Sequence, residues 1–205
     1  MNNLRTSWKQ RVIVLMLSHC AMGFMPAAAG AQQALTITLA AEKKLKRLPA
    51  GPLFWQVENF TTLAQAQSAA GETSLAVEVA GKVWLFTLGP MGGSRRGGSK
   101  IVEIGPVLPT MAPEYLLRIN YASAPPGTMF PVRAHPGCEA FYVLAGRLGQ
   151  ITPHGVKHAW MGQAMNGYRA DTPVDVYSSG TSDLNALVMF VGDATKPLPP
   201  PANIE

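Results

Sequence analysis

Apolar and polar positions alternate through short runs along most of this chain, and glycine or proline closes nearly every run, a pattern that predicts strands. Ser74–Val79 and Lys82–Leu88 flank Ala80-Gly81 and read as a hairpin that places Trp84 and Phe86 on one face, in the core. Ile101–Val107 and Tyr115–Tyr121 supply two further strands. The run from Glu139 to Gly146 is apolar, aromatic and β-branched, and ends on glycine as a strand does. Thr152-Pro-His-Gly155 makes a turn from which Val156–Trp160 runs back, and Pro173–Ser178 and Leu184–Val191 finish the sheet. Helical spacing occurs once, through Leu63, Ala64, Ala66 and Ala69, with Thr61 or Thr62 as cap and Gly71 as stop. The charged stretch Glu42–Arg47 reads as a short helix or a mobile arm, and Lys196–Pro201 as an extended surface tail.

Composition fits this picture. The 20 Gly and 17 Pro suit many short elements joined by turns, and hence an all-β fold. Arg5, Lys9 and Arg11, an apolar run from Val12 to Met25 and small residues through Ala31 form a secretory signal, residues 1–31, cleaved after Ala31. Its apolar run is too short for a comfortable bilayer span, so the exported chain, periplasmic or extracellular, is expected to carry no membrane span. Behind it come an N-terminal arm (32–50), one β domain (51–195) and a Pro-rich tail (196–205). Export leaves 14 basic against 12 acidic residues, a net +2 in place of +5, which argues against a nucleic-acid partner. It also leaves Cys138 alone, so no internal disulfide can staple the domain. Gly89–Lys100 is a flexible basic loop; Gly98 stands where a phosphate cradle needs lysine.

Unusual side chains concentrate between Gly127 and Gly146. Residues two apart in extended chain share a face, so Arg133 and His135 converge, and a Pro136-Gly137 turn folds Glu139 back beside them. Here the chain resembles the cupin family, whose first signature is Gly-x5-His-x-His-x3-Glu-x6-Gly. The spacing fits at Gly127, Arg133, His135, Glu139 and Gly146, with arginine in place of the first histidine. The second signature is matched loosely by Gly167, Pro173, Asp175 and Ser178, the last standing where the family has histidine. The resemblance spans residues 127–191 and implies a jelly-roll barrel, or double-stranded β-helix, with a short flanking helix near the N-terminus.

The resemblance would put a metal centre at positions 133, 135, 139 and 178, where only His135 and Glu139 are usual ligands for Fe, Mn, Ni or Zn. Tyr177, Ser178 and Cys138 are candidates for a further ligand, although Cys138 should point away from Glu139 in extended chain. His154 and His158 are excluded as partners of His135, because the position opposite His158 lies far along the strand from Glu139. Three readings stay open. One is an exported binding barrel that takes a small organic anion, without a tight metal, at Arg133, His135, Glu139 and Ser178 in a pocket lined by Phe141 and Val143. Another is a metal-dependent dioxygenase or isomerase built on His135 and Glu139. The third is a structural or interaction barrel, with homodimers formed at strand edges.

Overall fold

The computed structural model describes residues 35–93, 96–130, 136–152, 154–170 and 172–197. The expected leader and most of the Pro-rich tail lie outside the described residues. Nearly all regular structure is antiparallel strand, in three sheets, and no helix among the described residues is long and apolar enough to cross a membrane.

The central sheet has five strands. In spatial order they are β1 (Thr36–Leu45), β6 (Tyr115–Ala124), β12 (Leu184–Asp193), β7 (Gly137–Ala145) and β10 (Ala164–Asn166). Successive residues of a strand point to opposite faces, and here both faces are covered. From β12, Leu187, Met189 and Val191 pack to one side with Leu117 and Ile119 of β6, while Ala186 and Val188 pack to the other. A strand buried on both faces reads as one continuous apolar run, which is why Leu184–Val191 stands out in the sequence.

The first side is closed by a four-stranded sheet ordered β3 (Ser74–Val79), β4 (Lys82–Gly89), β2 (Leu53–Phe60), β5 (Ser99–Val107). Its inner face contributes Trp55, Val57, Trp84 and Phe86 to the larger core cluster. Trp84 and Phe86 stack with ring centroids 6.2 Å apart, and burying each such side chain contributes about 1.5–3 kcal/mol. The second side faces a three-stranded sheet ordered β11 (Asp175–Ser178), β8 (Arg147–Thr152), β9 (Gly155–Trp160). A separate apolar cluster lines the space between, with Phe141, Val143, Leu148, Ala159 and Val188 among its members. This second space is the interior of the barrel.

The outer face of the four-stranded sheet is covered too. Helix α1 (Leu63–Ala69) lays Ala66 on Val83 and Leu85, and the Thr62 side chain caps it by accepting from the Gln65 N–H at 3.3 Å. Over β2 and β5 runs the Gly-rich loop. Its Arg96 N–H donates to both oxygens of Glu58 at 3.2 Å, its Gly92 N–H donates to Glu103, and its Pro90 carbonyl accepts from the Gln56 amide at 2.8 Å. The loop is shorter than expected, because Ser99 and Lys100 already belong to β5.

One expectation is overturned. Glu42–Leu45, read as helix or arm, belongs to strand β1, paired along its length with β6. Lys43 gives the physical reason, since its ammonium reaches the carbonyls of Ser74, Glu72 and Gly71 in the neighbouring sheet. Its neighbours Lys44 and Lys46 pair with Glu114 instead. The charges of this strand are placed by cross-strand partners and not by a helical face.

Candidate functional site

Cross-strand pairing arranges the barrel-facing side chains of the central sheet in rows. The row nearest the β7–β8 turn runs Ile37, Ala122, Ala186, Val143. The next runs Leu39, Asn120, Val188, Phe141, Met165. The outermost runs Glu42, Arg118, Phe190, Glu139 and is the charged rim. The facing sheet is layered in the same sense. Ser178, Leu148 and Ala159 form one row, and Val176, Gln150 and Lys157 the next. Both β7 and β8 leave the turn at Gly146, whose φ of +72° is a conformation glycine adopts without strain. With the bulged Leu144 of β7 set aside, Leu148 matches Val143, Gln150 matches Phe141, and Thr152 matches Glu139, counted outward from that turn.

The interior holds polar groups that the described residues do not satisfy. Ser178 is fully buried, at 0% exposure, and Gln150 is buried at 2%. Ser178 Oγ, Gln150 Oε1 and Asn120 Oδ1 have no hydrogen-bond partner among the described residues. All three lie on barrel-facing positions of their strands, Asn120 and Gln150 from opposite walls at the level of Phe141 and Ser178 one row deeper. The other two such atoms, Trp55 Nε1 and Asn166 Oδ1, lie elsewhere: Trp55 packs in the core on the far side of the central sheet, and Asn166 reaches toward β5 through its bond to the Pro106 carbonyl. Buried polar groups are almost always paired, because leaving one bare costs about 1–3 kcal/mol. Three on one interior mark a place where something else supplies the partners.

The rim is charged and better satisfied. Arg118 pairs with Glu42 at 2.9 Å. Lys157 sits 5.0 Å from the centre of the Tyr168 ring, and the Tyr168 hydroxyl donates to Thr152 Oγ1 at 3.4 Å. That hydrogen bond, helped by Lys157, holds the Tyr168 phenol below its usual range.

Of the residues expected at the site, Arg133 and His135 lie outside the described residues. Glu139, Phe141 and Val143 share the barrel-facing side of β7, with Glu139 at the rim. Ser178 faces the same interior but is not brought to Glu139. It sits level with Val143, about 13 Å along the strand direction at 3.3 Å per residue. Its backbone pairs with Thr128 and Gly127 instead. Cys138 and Tyr177 are ruled out as further ligands by the faces they occupy. Cys138 is buried on the opposite side of β7, where burial pushes its thiol up. Tyr177 lies outside the barrel against Gly149, where any larger side chain would meet its ring. His158 pairs with Gly149 on that same outer face, beside Trp160 and Ser179, and His154 is an exposed turn residue. Among the described residues no three His, Cys, Asp or Glu side chains come together as a metal centre would need.

Asn120 and Gln150 escape a reading of the sequence because nothing local separates them from solvent-facing amides. Only the cross-strand register reveals that they face inward.

No protein-family profile matches the chain, and no curated protein does. Solved structures do. A cupin conserved barrel protein from Salinispora arenicola is 13% identical over 38% of this chain and 65% of its own, with a TM-score of 0.35. An RmlC-like cupin with a double-stranded β-helix from Methanocaldococcus jannaschii is 12% identical over 37% of this chain and 70% of its own, with a TM-score of 0.35. A DMSP lyase from Ruegeria pomeroyi is 22% identical over 40% of this chain and 41% of its own, with a TM-score of 0.35. The chain is thus similar to cupin-superfamily proteins over the smaller part of its length, and its own facing antiparallel sheets make the all-β barrel that the first signature implied.

Proposed function

We propose that this is an exported binding protein whose barrel takes a small organic anion. The observation that carries the reading is the set of buried polar groups without partners that line the interior, Ser178 and Gln150 foremost. A ligand that enters the barrel would satisfy them. Arg133 and His135, read from the sequence as ligand contacts, would add a bidentate cation and a hydrogen-bonding ring, and Glu139 and Phe141 would complete the wall. The donor set does not suit a resident transition metal: arginine stands at one ligand position, and Ser178, at another, lies rows away from Glu139. No step is therefore assigned to a metal.

A thermal-shift screen of small carboxylates and sugar acids tests the proposal. At least one compound should raise the melting temperature of the wild type and fail to do so for Arg133→Ala. If no compound distinguishes the two proteins, the anion site does not exist. Near-stoichiometric transition metal in protein purified without chelator would replace this reading with a metal-dependent one.

A further inference from the structure

We infer that the ligand is a polyhydroxy acid, held with its hydroxyls in the barrel and its carboxylate toward the rim; this rests on the binding reading above and names the ligand class. Asn120 and Gln150 each present an amide oxygen without a partner among the described residues, and Ser178 a hydroxyl. An amide oxygen needs a donor. If either amide is turned over it presents its NH2 group and needs an acceptor instead. A serine hydroxyl takes either. The one common organic group that satisfies all three sites in every setting is another hydroxyl, since it donates once and accepts twice. A carboxylate accepts only, and buried against two amide oxygens it would leave them bare and be desolvated as well.

Placement supports a chain of hydroxyls over a single one. Asn120 and Gln150 lie on opposite walls, and Ser178 lies one row from Gln150 toward the β7–β8 turn, so the three sites are spread along the barrel as well as across it. Between them stand Phe141, Val188, Val176 and Met165, apolar surfaces suited to the C–H faces of a carbon skeleton. Cations occur at the other end. Lys157 lies next to the rim row and is exposed, while Arg118 lies on that row, already paired with Glu42 at 2.9 Å. A molecule with carbinol groups at one end and a carboxylate at the other matches this gradient from neutral hydrogen bonding to charge.

The experiment is calorimetric titration of the full exported chain with four- to six-carbon aldonates and uronates, their matched alkanoates and their matched alditols. A hydroxylated acid is expected to bind at least about tenfold more tightly than the alkanoate of the same length. Ser178→Ala and Gln150→Leu should each shrink that ratio; Ser178→Ala removes one oxygen and serves if Gln150→Leu does not fold. Equal affinity for the acid and its alkanoate overturns this inference and leaves the anion reading standing. Alditols that bind as well as the acids overturn the anionic part and keep the hydroxyl recognition. A ratio untouched by both substitutions overturns the assignment to these residues, and no binding by any of the three classes overturns both readings together.

Discussion

Ser178 carries a buried hydroxyl with no hydrogen-bond partner among the described residues, and such a group weakens the structure that contains it. Replacing it with alanine should leave the ligand-free protein as stable as the wild type or stabilise it by up to about 1 kcal/mol, read from urea unfolding. A loss larger than that would mean the hydroxyl has a partner, and the case for an interior ligand would weaken with it. Cys138 makes a different prediction. Burial is the main cause raising its thiol, the Glu139 carboxylate adds to it, and a backbone hydrogen bond with Leu108 opposes them. The unfolded chain releases this proton near pH 8.5 whereas the native state still holds it. Stability should therefore fall as pH rises above about 8.5, through the window between the unfolded and folded values, and Cys138→Ala should flatten the decline. At this scale the sequence exposes what alternates cleanly. Phe141 and Val143 are legible as inward residues because they sit two apart in an apolar strand. Asn120 is not, since an amide between isoleucine and tyrosine looks the same whether its strand lines a barrel or the surface.

Among the elements, the loop between β4 and β5 is held by charge. Glu58 is buried at 4% exposure, yet among the described residues its carboxylate accepts only the Arg96 N–H, and Glu103 plays the same part for Gly92. Hydrogen bonds to an ionised acceptor are roughly twice as strong as neutral ones. Glu58→Gln should therefore speed hydrogen exchange at the Arg96 amide by about fivefold to tenfold with little change in the core strands; unchanged exchange would show that the loop is held by something else. Removing the cap, as in Thr62→Ala, should cost about 0.5–2 kcal/mol in urea unfolding. The helix was legible because its cap, its alanines and its spacing all agree. Strand β2 was not, and the same carboxylate explains why. With Gln56 and Glu58 on a face that the loop covers, buried polar side chains disguise a strand enclosed on both sides. Strand β1 failed for the complementary reason, since a run of lysines says nothing of the carbonyls and carboxylates that lie across the sheet.

At the largest scale, the described residues form a barrel with a second sheet laid across the back of its main wall. The first signature pointed to the barrel, because its spacing falls on β7 and the turn that follows. The added sheet carries no signature, and its role emerges only from the packing of Trp55, Trp84 and Phe86 on Leu117, Leu187 and Met189. Trp84→Ala should cost about 3–5 kcal/mol in urea unfolding, a large part of the 5–15 kcal/mol typical of a domain. A cost below about 1 kcal/mol would mean that the two sheets fold independently. One strand feels this arrangement most. Because β12 meets packed side chains above and below, saturation mutagenesis should find intolerance to charge at consecutive positions from Ala186 to Val191. Strand β9, exposed at Val156, Lys157, His158 and Trp160 and buried at Ala159, should instead accept substitutions at all four exposed positions. Where the sheet lies decides which codons are free to drift.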